Sequence, residues 1–165
     1  MRSHGSIYVA VVFALLFGYF GYQWWFNPSR AVKQRLGEVA AALSVPEGET
    51  EIARIARLSR LRRYLADDLR VLAGTEDIRS RDTAVAIAAG WKPQHGSGDV
   101  HFADVQVFIE SEAAAHAYLA VELTSLDRPS GQPTVDSRDT SVSLARRNGE
   151  WVITAAESKA IPIRP

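Results

Sequence analysis

Four side chains that could perform acid–base chemistry lie in the second half of the chain: His101, Asp104, His116 and Tyr118. A histidine beside an acid in a pocket can act as a general base, so these are the candidate pocket residues. On regular strands, alternation places His101 and Asp104 on opposite sides, whereas His116 and Tyr118 share a side. No nucleophile or set of oxyanion donors accompanies them. Catalysis is therefore the weaker hypothesis for this chain.

Metal, thiol and cofactor chemistry are not indicated by the sequence. The chain has no cysteine, which removes thiolate ligands, cysteine nucleophiles and disulfides. Its four histidines, His4, His95, His101 and His116, are too dispersed to make a metal site persuasive. We therefore expect neither a metal nor a cofactor.

A second group of candidates consists of five arginines within ten residues: Arg54, Arg57, Arg60, Arg62 and Arg63. Such a cluster can bind anionic lipid headgroups or an acidic protein, and a solvated helix face is the alternative. No nucleic-acid motif or aromatic interleaving accompanies it, so nucleic acid is not an expected partner. Residues 27–66 contain eight basic and four acidic residues, whereas the chain from residue 67 onward contains ten basic and fifteen acidic residues.

An uncharged apolar stretch at residues 7–26, IYVAVVFALLFGYFGYQWWF, predicts a single transmembrane helix. Twenty residues at about 1.5 Å each cover the roughly 30 Å hydrocarbon core of a bilayer. The predicted membrane-interface residues follow from the aromatic end of this stretch and the cations after it: Tyr22, Trp24, Trp25, Arg30, Lys33 and Arg35. A secretory signal peptide is the alternative, but it would be shorter and end in small residues.

Small residues recur along one side of the predicted span: Ala10, Ala14, Gly18 and Gly21. This spacing leaves a shallow groove in which a partner helix can approach closely, although small residues are common in any membrane helix. We therefore expect contact with other subunits of a membrane protein complex. The basic residues after the span favour an inner-membrane orientation with the C-terminal domain in the cytoplasm, and a periplasmic domain is the alternative.

The elements that would position these residues are helices first and strands afterwards. Helices are predicted at residues 29–44, from Thr50 onward, and at 77–90 with Ser80 as a possible cap. The apolar stripe of the second helix comprises Ile52, Ile55, Leu58, Leu61 and Leu65. Strands are predicted at residues 67–73, 100–109, 115–126, 135–146 and 150–157, the last four forming a meander. The Asn148-Gly149 dipeptide between the last two strands is a strong hairpin signal.

Three short motifs in this order resemble the NTF2-like (SnoaL-like) family. They are YLADD at residues 64–68, SRD at 80–82, and ARRNGEWVI at 145–153, and the resemblance covers about residues 50–158. It implies an α+β cone in which helices pack on a curved antiparallel sheet around a pocket. Related ketosteroid isomerases carry a catalytic acid at about the position of Ala73, which cannot act as a base.

The resulting organisation has five parts: a tail at 1–6, a transmembrane helix at 7–26, a juxtamembrane helix and turn at 27–49, the NTF2-like domain at 50–158, and a tail at 159–165. We expect a non-catalytic membrane-anchored accessory subunit. The alternative is a membrane-tethered enzyme or small-ligand-binding protein that uses the pocket. Filling of that pocket by Trp91, Phe102, Phe108 or Trp151 would count against this alternative.

Overall fold

The computed structural model describes residues 11–18, 27–93, 97–126 and 132–159 of the chain. After residue 27 the chain forms three helices, which we number α1 (Pro28–Leu43), α2 (Glu51–Tyr64) and α3 (Arg81–Gly90). It also forms six strands: β1 (Leu65–Ala73), β2 (Glu76–Ile78), β3 (Asp99–Ser111), β4 (Ala114–Leu126), β5 (Pro133–Arg147) and β6 (Glu150–Ser158).

All six strands belong to one sheet, in the order β2-β1-β6-β5-β4-β3. The predicted meander is present, because β3, β4, β5 and β6 pair antiparallel in sequence order. The sheet is nevertheless mixed rather than antiparallel, since β1 pairs with β6 in parallel. The helices pack on one face of this sheet, so the α+β class is confirmed and the purely antiparallel sheet is wrong.

The first hairpin changes two predicted boundaries. β1 begins at Leu65, two residues earlier than predicted, and Glu76–Ile78 forms a strand instead of the start of a helix. Gly74 has a φ of 63°, a conformation that glycine adopts without steric cost, and this lets Ala73 pair with Glu76 across a two-residue turn. α3 therefore begins only at Arg81, with Ser80 at the N-cap but without a side-chain capping bond.

The predicted β5–β6 hairpin is confirmed at Asn148-Gly149. These residues have φ angles of 53° and 84°, and the flanking Arg147 and Glu150 pair directly across the turn. Two successive positive φ angles match the right-handed twist of the flanking strands. The turn therefore fixes the register of β5 and β6.

α1 closes one side of the core. Val32, Leu36 and Val39 lie at helical spacing and are buried in the same cluster as the sheet residues. The partners from the sheet and from α2 include Leu61, Leu65, Leu69, Ala117, Leu119, Val142, Leu144, Trp151 and Ile153. α1 was predicted as a separate juxtamembrane helix, but it shares the core of the domain that follows.

The predicted apolar stripe of α2 is only half correct. Leu61 and Leu65 are buried, whereas Ile52 and Ile55 remain 81% and 61% exposed. Arg57 is buried against α1 instead, so the inner side of the first half of α2 is formed by an arginine. The side of α2 that faces the core therefore differs from the side that its apolar residues alone predict.

Only residues 11–18 of the predicted transmembrane segment lie within the described residues, and they are helical. Residues 7–10 and 19–26 lie outside them. Among the described helices, none is both long enough and apolar enough to cross a membrane.

Candidate functional site

A cavity of about 420 Å³ lies between the helices and the sheet. It is lined by side chains that are all apolar: Val39, Leu43, Leu61, Leu65, Leu69, Val71, Ile78, Ala84, Ile87, Ala88, Trp91, Val100, Phe102, Val121, Leu123 and Ile153. We call it the cone cavity. Within the described part of the chain it has no lining residue that could donate or accept a proton at neutral pH. It can bind an apolar group, but its own side chains cannot perform acid–base chemistry.

The four aromatic residues whose presence inside this space would have counted against ligand binding do not fill it. Trp91 and Phe102 form part of its wall, and Trp151 is buried in the core. Phe108 is 53% exposed and pairs in register with His116, so it lies on the opposite face of the sheet. The cone cavity is therefore open in this structure.

Gly98 positions the indole that forms one wall of the cavity. A Cβ at Gly98 would lie 2.9 Å from Cζ2 of Trp91 and 3.1 Å from Cγ of Pro93, closer than side chains pack. Only glycine allows the indole to lie this close to the backbone. Gly98 and Val45 also pair through two backbone hydrogen bonds, which anchor this loop to the end of α1.

α3 covers the cone cavity without burying any residue of its own. It is held by polar contacts near both ends: Arg54 Nη2 donates to the Ala89 carbonyl oxygen at 2.7 Å, and Arg62 pairs with Asp82 at 2.9 Å. Arg81 also pairs with Asp67 of β1. Ile87 faces the cavity and is nevertheless half-exposed. α3 is therefore held by these polar contacts and by Ala84, Val85 and Ala88, which pack against the core while only partly buried.

The four residues predicted for the pocket do not line the cone cavity. Asp104, His116 and Tyr118 lie instead around an open depression of about 620 Å³ on the face of the sheet opposite α1, α2 and α3. His101 lies apart from them, beside Lys33 and Asp99. The prediction that these four side chains could serve the cone pocket is therefore wrong.

A bulge in β3 explains the position of Asp104. The pairing of β3 with β4 shifts between Ala103 and Gln106, and Asp104 has a φ of 51°. A bulge changes which face the following side chains occupy, so strand alternation cannot place Asp104. The predicted shared side of His116 and Tyr118 is confirmed, because their ring centroids lie 4.8 Å apart.

The outer depression is lined largely by polar side chains. Nδ1 of His116 lies 3.2 Å from Oγ of Ser143, and Tyr118 packs edge-on against Phe108 with centroids 5.9 Å apart. Among the described residues, no three His, Cys, Asp or Glu side chains are grouped as metal ligands require.

Arg57 is a structural residue and not a surface contact. It is 5% exposed, its Nε and Nη2 donate to Glu49 at 2.7 and 3.2 Å, and its Nη1 donates to the Ala42 carbonyl oxygen at 2.9 Å. Hydrogen bonding and the charge of Arg57, with a smaller contribution from Arg54, hold the pKa of Glu49 below its ordinary value of 4.5 despite desolvation. This pair joins the end of α1 to the turn before α2.

The other predicted arginines divide into two groups. Arg54 and Arg62 hold α3, as described above. Arg60 and Arg63 are exposed and have no hydrogen-bond or ion-pair partner within the described residues. Only these two guanidinium groups of the five are fully available to an external anion.

The predicted interface cations of α1 also differ from one another. Arg30 and Lys33 are exposed. Arg35 instead pairs with Glu38 at 3.0 Å and Glu150 at 3.7 Å, and its guanidinium lies 4.6 Å from the ring centroid of Tyr64. Arg35 therefore joins α1, α2 and the β5–β6 hairpin.

Most of the predicted span residues lie outside the described residues: Ala10, Gly21, Tyr22, Trp24 and Trp25. Ala14 and Gly18 belong to the described helical segment and are exposed there. A Cβ at Gly18 would meet no atom within 4 Å. The small-residue face remains a prediction.

Sequence reasoning did not identify the cone cavity lining. Its residues read as ordinary core positions, because each is an apolar side chain on a helix or strand. Ala84 and Ala88, spaced by four on α3, were a usable signal, since small side chains facing a sheet leave space. Ala73 is not among the lining residues; it lies at the end of β1, paired with Glu76.

The fold has clear counterparts among solved structures. A protein from Novosphingobium aromaticivorans, described as NTF2-like with a cystatin-like fold, superposes with a TM-score of 0.66 at 10% identity, covering 99% of this chain and 94% of that one. A second protein from the same organism, provisionally assigned as a scytalone dehydratase, gives a TM-score of 0.63 at 13% identity, covering 80% and 83%. The association domain of C. elegans CaMKII gives 0.59 at 12% identity, covering 81% and 93%.

These similarities define the fold of this chain as NTF2-like. No protein-family model matches the sequence, and no curated protein matches it significantly. The structural neighbours include both a protein assigned as an enzyme and an association domain, so the fold alone does not distinguish catalysis from binding.

Proposed function

We propose that this chain is a non-catalytic, membrane-anchored accessory subunit that docks on or braces a larger membrane protein complex. The observation that carries the non-catalytic part is the lining of the cone cavity, which consists entirely of apolar side chains. Proton transfer requires a titratable group within hydrogen-bond reach of the substrate, and none lines this cavity within the described residues. The association domain among the structural neighbours is a precedent for use of this fold in binding.

The membrane part of the proposal rests on residues 7–26, whose length and lack of charge match one bilayer crossing. Ala14 and Gly18 would contact a helix of the partner complex. Replacing both with leucine should abolish co-purification of the partner while leaving membrane insertion intact, because lipid accepts leucine well. Replacing Val12 and Leu16 with alanine is the matched control for the other side. Co-purification that survives A14L/G18L would contradict this contact.

The proposed orientation places the NTF2-like domain in the cytoplasm of the inner membrane. Because the chain has no cysteine, Ser158→Cys creates a single reactive thiol at the end of β6. In intact cells this thiol should resist a membrane-impermeant maleimide and react only after lysis. Labelling of intact cells through a permeable outer membrane would instead place the domain in the periplasm.

The decisive experiment for the accessory role is gentle solubilisation of the native membrane, followed by sizing and mass spectrometry of the proteins that travel with this chain. A stoichiometric large complex is the expected result. Migration as a single protein or a homodimer would overturn the accessory role.

A second candidate function is the binding of a small apolar ligand in the cone cavity. The open volume of about 420 Å³ favours it, because sites of this kind are concave and mostly apolar. Ala88 lines the cavity and Ala86 lies exposed on the same helix. Ala88→Phe should therefore abolish binding of Nile red, whereas Ala86→Phe should preserve it. Equal binding by both variants would contradict binding in this cavity.

A further inference from the structure

α2 has an exposed face with two chemically different halves, which we call the docking face: Ile52, Ile55, Ala56, Ser59, Arg60 and Arg63. All six residues are exposed, with Ile52 at 81% and Ile55 at 61%. Residues three, four, seven and eleven apart lie on the same side of a helix, so these six form one continuous strip. The first half of the strip is aliphatic, and the second half is cationic.

The cations of this strip are available to an external partner. Arg60 and Arg63 have no partner within the described residues, whereas the other arginines of α2 bind Glu49, Ala89 and Asp82. The only acid in α2 is Glu51, at its first position, where the helix dipole favours a negative charge. Exposed aliphatic side chains beside unpaired guanidinium groups match the headgroup and acyl boundary of an anionic bilayer.

The position of α2 brings this face to the membrane. Only Asn27 separates the predicted span from α1, so α1 begins at the bilayer surface if the span is anchored. α2 runs antiparallel to α1, because Arg57 binds Ala42 near one end while Arg35 stacks on Tyr64 at the other. Arg30 and Lys33 of α1 are also exposed.

We propose that the docking face of α2 lies on the anionic lipid surface. Arg60 and Arg63 contact lipid phosphate groups, and Ile52 and Ile55 enter the boundary with the acyl chains. This arrangement requires α1 to lie along the bilayer rather than stand upright on it. The inference rests on the membrane anchoring proposed above and adds the face that the domain presents to the lipid.

A single-cysteine label tests this arrangement on the full chain. Ser59→Cys, in the middle of the docking face, is labelled with a small fluorophore after incorporation into phosphatidylglycerol nanodiscs that contain nitroxide-labelled lipid. Gln106→Cys is the matched control, because Gln106 is exposed on the face of the sheet opposite α1, α2 and α3. We expect the nitroxide lipid to quench the label at position 59 and not the label at 106.

Charge and aliphatic variants then test the contribution of each half. Since each basic residue near an anionic surface contributes about 1 kcal/mol, R60Q/R63Q should lower the ratio of docked to undocked domains roughly thirtyfold. Higher salt should reduce quenching in the parent chain and change the variant little. I52S/I55S should also reduce quenching, and circular dichroism checks that each variant is folded.

The possible failures are distinguishable. Co-migration of the chain with nanodiscs reports the anchor, and quenching at position 59 reports docking. If the chain co-migrates with nanodiscs but the labels at positions 59 and 106 are quenched equally and weakly, the docking proposal is overturned and the anchor stands. The docking face would then suit an acidic protein instead of lipid. Quenching at position 59 that is as strong in phosphatidylcholine nanodiscs as in phosphatidylglycerol nanodiscs overturns the role of Arg60 and Arg63. A chain that does not enter nanodiscs overturns the anchor itself.

Discussion

Arg57 provides the sharpest test of the division between structural and surface arginines. The Arg57–Glu49 ion pair is almost completely buried, with side chains 6% and 8% exposed. Removing one member of a buried pair leaves an uncompensated charge and typically costs about 3–5 kcal/mol. Arg57→Met should therefore lower the free energy of unfolding by about that amount. This is a large part of the roughly 5–15 kcal/mol that stabilises an ordinary domain.

The double variant R57M/E49Q separates the charge from the hydrogen bond to α1. Removing both charges leaves the Ala42 carbonyl oxygen, one of the last acceptors of α1, without its donor. An unsatisfied buried acceptor costs about 1–3 kcal/mol, so the double variant should be more stable than Arg57→Met alone. Arg60→Met on the same helix is the control, and its effect should stay within about 0.5 kcal/mol.

The measurement is urea-induced unfolding of the detergent-solubilised chain, followed by near-ultraviolet circular dichroism. In the parent chain the pKa of Glu49 is lowered, so its stabilising effect is present above pH 4.5 and is lost as pH falls through the pKa of the folded state. Without Arg57, burial raises the pKa of Glu49. The difference between parent and Arg57→Met should therefore shrink from about pH 7 to about pH 4. An Arg57→Met variant no less stable than Arg60→Met would refute this reasoning.

Three further predictions concern glycine positions and the arginine contacts of Asp77. Gly37→Ala should stabilise the chain by about 1 kcal/mol, because Gly37 lies inside α1 with free space around it. Gly149→Ala should destabilise the chain by about 1–2 kcal/mol, because Gly149 has a φ of 84°. Thermal unfolding should therefore show a higher melting temperature for the first variant and a lower one for the second. Gly98→Ala should cost about 1–3 kcal/mol and shift tryptophan fluorescence, because the added methyl displaces the indole packed there, and an unshifted spectrum would contradict it. Arg79 and then Arg70 lower the pKa of Asp77, so Arg79→Gln should raise that pKa toward 3.8 in an NMR titration; an unchanged value would count against the contact.

Local patterns predicted much of the fold. The helical pattern of residues 29–44 predicted α1, and Asn148-Gly149 predicted the last hairpin. These features depend on residues close in sequence, so periodicity and turn chemistry are sufficient to find them. The pattern of residues 115–126 likewise predicted β4 as a strand.

The remaining features of the sheet depend on distant partners. β2 is three residues long and contains two acids, so nothing in its own sequence distinguishes it from a helix start. It is a strand because Gly74 turns the chain back onto β1. The parallel pairing of β1 with β6 joins residues 85 to 88 positions apart, and no local pattern encodes it.

The candidate site was the least predictable part. Arg57 and Arg60 are three residues apart in one arginine-rich helix, yet one is buried and the other exposed. Asp104 and His101 were chosen for their chemistry, but the bulge in β3 and the two faces of the sheet determine where they lie. Reactive side chains are easy to identify in a sequence. The small and apolar residues that line a cavity have the same residue types as ordinary core positions, so the sequence does not distinguish them.

The parallel pairing of β1 with β6 also has a consequence for biogenesis. Of the described strands, β6 is the last to be synthesised, and it lies between β1 and β5 in the finished sheet. Until it arrives, β1 and β5 both present an unpaired edge, and such edges are sites of aggregation. The domain therefore completes its sheet only after nearly all of the described chain has been synthesised, by which time an N-terminal anchor would already be in the bilayer. Anchoring would then keep nascent copies apart during the interval in which their open edges are most able to pair with one another.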